Sequence, residues 1–382
     1  MLTAEEFAAW FRLLETPGVG RGTARRLLSA CGSPAGVFAC SPAALRGLVD
    51  AATAQALGSW PPEFETRLKA AQSWLAGGPD RHALVLGDPA YPPLLLQTAD
   101  PPLLLYVQGA LGPLSKPGVA MVGSRRASPQ GLANARAFAQ ALSEQGWVVF
   151  SGLAQGIDAA AHEGALAGAA GTVAVVGTGL DRVYPASHRA LAHRIAAHGA
   201  LVSEFAPGTP PLPEHFPMRN RLIAGMSLGT VVVEAALQSG SLITARLATE
   251  AGREVFAVPG SIHSPQSKGC HWLLKQGAKL VESAQDILEE LQPSQPRSAQ
   301  LLLPESEPES ESELETETDR GAQDPAPHPV LDALGHDPVT LDALISRTGF
   351  PGHQLSALLM TLELDGLVAR LPGGLYQRVH RG

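Results

Sequence analysis

From Gly118 onward, short apolar runs rich in β-branched residues alternate with longer stretches of helical periodicity. The runs predict strands at Val119–Val122, Trp147–Phe150, Thr172–Val176, Ala200–Val202, Thr230–Val233 and Glu254–Val258. Between them the pattern predicts helices at Pro129–Gln145, Ile157–Ala167, His188–Ala197, Asn220–Met226, Leu242–Ala251 and Cys270–Gln276. Strands that are apolar throughout are buried on both faces, and their alternation with helices signals a doubly wound, mostly parallel sheet. The fold class expected for residues 80–291 is therefore α/β, an extended Rossmann-like domain.

Outside this region the rhythm changes. Residues 1–75 read as a compact helical module, in which Leu13-Leu14 leads through Pro17-Gly18-Val19-Gly20 to a helix bearing Arg21, Arg25 and Arg26. That is a helix-hairpin-helix (SAM-like) pattern, whose glycine hairpin exposes N–H groups that suit a phosphate. The same hairpin also serves simply to turn one helix into the next. The stretch 80–117 carries apolar bursts among prolines and predicts short strands and turns packed on the main sheet. Residues 292–327 are low-complexity Pro, Ser, Glu and Thr, too polar to bury a core, and read as an acidic disordered linker. The tail, 328–382, has amphipathic segments at Pro329–Leu334, Leu341–Thr348 and His353–Asp365, then a hairpin around Pro372-Gly373-Gly374. Three helices and a hairpin make a winged helix, whose third helix often enters a DNA groove. Here that helix carries Glu363 and Asp365, so docking to a protein is as consistent as contact with double-stranded DNA.

Composition changes this picture in two places. The formal charge is −8, but eight acidic side chains fall in the linker between Glu305 and Asp319. Setting them aside, the 28 acidic residues left of 36 balance 28 Lys and Arg, so the rest of the chain is neutral overall. A local basic face stays open to it. Cys31, Cys40 and Cys270 are odd in number and scattered, which points to a reducing, cytoplasmic setting rather than a disulfide framework or zinc module. Cys270 and His271 would diverge by about 100° on a helix, so no metal is expected. No run approaches the ~20 apolar residues of a membrane span, and the acidic, amphipathic N-terminus is unlike a signal peptide.

The candidate chemistry sits in the loops after the strands, because ligands of open α/β sheets bind beyond the strands' carboxyl ends. After the first strand comes GSRRASPQG. There Gly123 permits close approach, Ser124, Arg125 and Arg126 bring polar and charged groups, and Ser128-Pro129 starts a helix. Small polar pairs, Ser151-Gly152 and Thr178-Gly179, follow the second and third strands. Pro217 suits a first helical turn, which places Arg219, Asn220 and Arg221 among free N–H groups that favour an anion, with Phe216 beside them. Ser239-Gly240-Ser241 opens the next helix with capping residues. Guanidinium forks grip phosphate oxygens bidentately, and a basic groove with an aromatic platform is how single strands are held. The same residues also fit a plainer reading: arginines in surface ion pairs, a phenylalanine in the core and serines that only cap.

Enzyme readings find less support. GSRRASPQG is not GxGxxG, and no GxxxxGK[ST] occurs, so no nucleotide cofactor is expected. The alternative function is a nucleotide-acting, phosphoribohydrolase-like enzyme on the same sheet. SLGTVVVE partly follows the PGGxGTxxE signature of those enzymes, but Ala224-Gly225-Met226-Ser227 replaces the double glycine. Ser151, Asp158 and His162 form a further candidate set without the GxSxG elbow. Asp and His four apart also serve to steady a helix entrance.

The ordered set GSRRASPQG, SGLAQGIDAAAH, GTGLDRVYP, SEFAPGTPPLPEHFPMRNRLIAGMS, VVVEAALQSGSLITA and AVPGSIHSPQSKGCHWLLKQGA resembles the DNA-processing protein A (DprA/Smf) family across roughly Leu84 to Leu288. The resemblance implies a non-enzymatic protein that binds and protects single-stranded DNA and loads the RecA recombinase during natural transformation and recombination. It also implies a homodimer. Carried over by motif, the DNA pocket is Gly123, Ser124 and Arg125 with Phe216, Arg219, Asn220 and Arg221. Arg126, Ser151, Gly152, Thr178, Gly179, Ser239, Gly240 and Ser241 line the same edge. Several relatives have a lysine shortly before the phenylalanine, where this chain has Pro213, Glu214 and His215.

Overall fold

The structure is a computed structural model that describes residues 2–292, 328–335, 337–371 and 373–379. Almost all of the expected acidic linker, 293–327, lies outside the described residues. The N-terminal module is helical: α1 (Ala4–Glu15), α2 (Arg21–Cys31), α3 (Pro34–Ala39), α4 (Pro42–Arg46), α5 (Ala51–Leu57) and α6 (Phe64–Ala76). Thr3, Ser33, Ser41 and Asp50 each accept a backbone N–H with their side chains, capping α1, α3, α4 and α5. Gly18, at φ +81°, makes the expected hairpin before α2. Two of the three α2 arginines are engaged within the chain. Arg21 Nε lies 2.5 Å and Arg25 Nη2 2.6 Å from the two carboxylate oxygens of Asp100. They fasten the module to the main domain, which corrects the nucleic-acid reading of these two side chains. Cys31 and Cys40 are not scattered in space: their Sγ atoms are 3.0 Å apart, as free thiols. Contact with Cys40 pushes the Cys31 thiol up to about 11.

The module also lacks a core of its own on one side. Phe7, Phe11, Phe64 and Trp74 share a cluster with Leu104 and Tyr106 of the main sheet, the Tyr106 ring meeting those of Phe7 and Trp74 edge-on. Buried aromatic rings dominate the energetics of such a contact. The two units therefore stabilise each other.

The main sheet has nine strands: β1 (Arg81–Val85), β2 (Leu104–Gly109), β3 (Gly118–Val122), β4 (Val148–Ser151), β5 (Thr172–Val175), β6 (Ala200–Ser203), β7 (Gly229–Val232), β8 (Glu254–Ala257) and β9 (Lys279–Leu280). Their order is β1-β2-β6-β5-β4-β3-β7-β8-β9. Neighbours from β6 to β9 run parallel, while β2 pairs antiparallel with β6 and with β1. The six predicted strands are all present, and the apolar bursts of 80–117 add β1 and β2 to one edge. The helices α7 (Pro129–Glu144), α8 (Ile157–Ala165), α9 (Arg189–His198), α10 (His215–Gly225), α11 (Gly240–Glu250), α12 (Lys268–Lys275) and α13 (Ala284–Leu291) cover both faces. Alternation along the strands divides the core accordingly. Ala120 and Val122 point to α10, α11 and α12, whereas Val119 and Met121 point to α7, α8 and α13. From β3 the chain steps outward through β4, β5 and β6, then returns to the other side of β3 with β7. The sheet's switch point thus lies between the carboxyl ends of β3 and β7, where ligands of such folds bind.

The tail forms the expected winged helix: α14 (Pro329–Leu334), β10 (Val339–Thr340), α15 (Leu341–Thr348), α16 (Gly352–Leu364), β11 (Val368–Leu371) and β12 (Leu375–Arg378). Its core is a separate cluster around Leu331, Leu344, Leu355, Leu359 and Val368.

Candidate nucleic-acid interface

At the switch point, a cleft of about 740 Å³ opens between the loop after β3, the starts of α8 and α10, and the loop leading to α11. Its floor is tied across the two halves of the sheet. Ser124 N–H donates to Glu234 O at 2.7 Å, and Ile157 N–H donates to Ser124 O at 3.2 Å. Gly123 is required there, since a Cβ would stand 2.6 Å from Ile157 Cγ1 and 2.8 Å from Glu234 O. Ser124 Oγ accepts the Arg126 N–H at 3.1 Å, so the serine builds the loop while Arg125 and Arg126 extend outward, exposed.

Helix α10 begins at His215, five residues before the predicted start, with Pro217 in its first turn as expected; Arg219, Asn220 and Arg221 therefore lie in the second turn, past the free N–H groups expected around them. Phe216 and Arg219 line the cleft together with Asn220. The Arg125 guanidinium carbon sits 5.8 Å from the centre of the Phe216 ring. Arg219 is only 5 % exposed, donates to Val175 O, and keeps an Nε with no hydrogen-bond partner among the described residues. Burial pulls its guanidinium down to about 10, with Asp158 acting in the opposite sense. Asp158 accepts the N–H groups of Gly152 at 3.0 Å and Ala154 at 3.4 Å. Burial pushes its carboxyl up, against Arg219 and those two donors. On the cleft wall, Ser239 caps α11 as expected and its Oγ meets Ser241 Oγ at 2.6 Å. Ser239, Gly240 and Ser241 line the cleft wall.

Five of the expected positions fall outside the cleft lining. Arg221, two residues from Arg219, is turned about 200° around the helix. It donates to Asp100 O at 2.5 Å and pairs with Glu204, a contact of the plainer kind that its residue type also allowed. Ser151 is buried and donates to Met121 O at 2.6 Å. Gly152 lies beneath Arg219, where a Cβ would collide with the guanidinium. Thr178 is 1 % exposed, and Gly179 N–H holds Thr209 O at 3.1 Å. These four residues shape the support of the cleft rather than its surface.

The side chains of the enzyme-like constellations make hydrogen bonds within the fold. His162 Nε2 accepts the Leu153 N–H at 3.3 Å, and its Nδ1 lies 2.8 Å from Thr172 Oγ1, which donates to Val149 O at 2.5 Å. Burial, with Arg219 nearby, drives the imidazole down to about 3. Ser151, Asp158 and His162 are each spent on backbone groups of the 151–154 loop or its strand neighbours. The Glu234 carboxylate accepts both Ser128 N–H and Ser128 Oγ–H, at 2.9 and 2.5 Å, and so latches the start of α7. One residue that sequence reasoning missed is Tyr184. It lines the cleft with 48 % of its surface exposed, its ring 5.5 Å from that of Phe216. The signal was present in GTGLDRVYP, an aromatic at the end of a strand-following loop.

Comparison with known proteins supplies a family for this geometry. The family model described as DNA recombination-mediator protein A matches residues 82–292, and a DprA winged helix domain model matches residues 305–374. Protein Smf of Escherichia coli is 43 % identical over 312 residues, 79 % of either chain. The DNA processing protein DprA of Streptococcus pneumoniae is 49 % identical over 205 residues, 54 % of this chain and 72 % of that one. The X-ray structure of the pneumococcal DNA processing protein A superposes with a TM-score of 0.61 at 38 % identity, covering 76 % of this chain and 98 % of that one. A Helicobacter pylori DNA processing protein A, whose structure concerns its single-stranded DNA binding mode, gives 0.50 at 31 % identity, covering 55 % and 95 %. With the switch-point cleft lying wholly inside the matched residues, the chain belongs to the DNA recombination-mediator protein A family.

Proposed function

We propose that the cleft binds single-stranded DNA without strong sequence preference. Phosphates are taken by Arg125, Arg126 and Arg219, and a base stacks on Phe216. The observation that carries this reading is the meeting of the exposed Arg125, the Phe216 ring and the buried Arg219 in one cleft beside the start of α11. A flexible polyanion with flat apolar bases needs both kinds of group side by side.

Membership of the family, and the names its relatives carry, support a role in DNA processing. On this reading the protein shields exposed strand and delivers it to the RecA recombinase in natural transformation and recombination. It acts in the cytoplasm as a homodimer and performs no catalytic step. The winged helix then meets double-stranded DNA or a protein. Exposed Met360 and Leu364 on α16, beside Glu363, favour a protein.

A fluorescent oligonucleotide titrated at two salt concentrations tests the cleft. Arg125→Ala is expected to weaken binding alike across sequences and to flatten the salt slope by about 0.7 for each phosphate left without its cation. Wild-type affinity and slope in that variant would overturn the assignment.

A further inference from the structure

We propose that Tyr184 is a second base-stacking site of the cleft, so that two nucleobases of one strand are held rather than one. The proposal rests on the single-stranded DNA reading above and adds to it a residue that lies in the GTGLDRVYP motif but was not among the pocket residues assigned from the motifs. Tyr184 sits on the loop between β5 and α9, which is held by three hydrogen bonds. Gly179 N–H donates to Thr209 O at 3.1 Å, Gly208 N–H donates to the Asp181 carboxylate at 2.7 Å, and His188 Nδ1 lies 3.0 Å from Leu153 O. A pinned loop that nonetheless leaves an aromatic ring 48 % exposed presents a rigid apolar surface to the cleft.

The ring geometry decides how that surface can be used. The Tyr184 and Phe216 centroids are 5.5 Å apart with the planes tilted by 39°. A base inserted between two rings needs two van der Waals layers, about 7 Å, and near-parallel planes. Neither condition holds, so the two rings support each other and a base lies on the free face of Tyr184. Phe216 is in turn within 5.8 Å of the Arg125 guanidinium. A strand whose phosphate meets Arg125 therefore has a neighbouring base within reach of each ring. Every base has a π-face, so the arrangement adds affinity without reading sequence.

The test uses the full chain, an oligothymidylate and an abasic oligomer of equal length, with wild type, Tyr184→Ala and Tyr184→Phe compared at two salt concentrations. Tyr184→Ala is expected to lose roughly 5- to 150-fold in affinity for the oligothymidylate, the fold-change that one stacked base carries. Its salt slope and its affinity for the abasic oligomer stay at wild-type values, and Tyr184→Phe restores binding. Equal binding of the oligothymidylate by wild type and Tyr184→Ala would overturn the subsite. So would an equal loss on both oligomers, which would mark a structural role. Failure of wild type to bind either oligomer would overturn the DNA reading itself and the subsite with it.

Discussion

Arg219 and Arg221 show how much a two-residue offset decides. Both are arginines on α10, yet one enters the cleft and the other joins Asp100 and Glu204 beneath the N-terminal module. The distinction was legible in the sequence, since residues two apart on a helix diverge by about 200°. Grouping them by charge alone hid it. Arg221→Ala is expected to leave the salt slope of DNA binding unchanged while costing roughly 1.5–3 kcal/mol of stability in urea unfolding, because Glu204 loses its hydrogen-bonded partner and keeps only the longer contact with Arg21. A flattened salt slope would return Arg221 to the DNA surface. Arg219→Ala differs from Arg125→Ala in the same logic: it removes a cleft charge and also strands the buried Asp158, so both affinity and melting temperature fall. The supporting roles of Ser151, Gly152 and Thr178 were not legible, because a small residue after a strand reads alike whether it faces a ligand or the underside of the loop.

At the scale of elements, the strands and helices from β3 to α12 follow the hydrophobic rhythm to within a few residues at most boundaries. The pieces that the rhythm does not reveal are β9, two residues long, and α13, a short helix beyond the last predicted one. Two residues carry no period to detect. The packing of α8 against β4 and β5 gives a pH dependence. His162 is neutral and buried among them, with its pKa driven down to about 3 from 6.5. Below its ordinary value the unfolded chain takes up a proton that the folded chain refuses. Stability from this residue is therefore full above about pH 6.5 and falls as pH drops toward 3, by at most about 1.4 kcal/mol per pH unit. Urea midpoints of wild type and His162→Gln at pH 7 and 5 check this: the wild type is expected to lose more between the two. Parallel pH profiles would show that His162 is not the group responsible.

At the scale of the molecule, the boundary near residue 75 divides the chain by pattern but not by packing. Phe7, Phe11, Phe64 and Trp74 lie against Leu104 and Tyr106, and Arg21 and Arg25 hold Asp100. Composition marks where one rhythm ends and another begins; it carries no record of which faces later meet. A fragment of residues 80–291 is expected to aggregate on gel filtration, whereas residues 2–292 elute as a folded species. A well-behaved shorter fragment would contradict the shared core. The Ser124–Glu234 bridge has a consequence of its own. Because it laces the sheet's two halves together under the cleft, the receiving surface is set before any strand arrives, and the work of straightening falls on the DNA. Purine runs that prefer to stay piled on themselves will then bind more weakly than limp thymidine tracts, a preference arising from the ligand's stiffness with no base edge consulted.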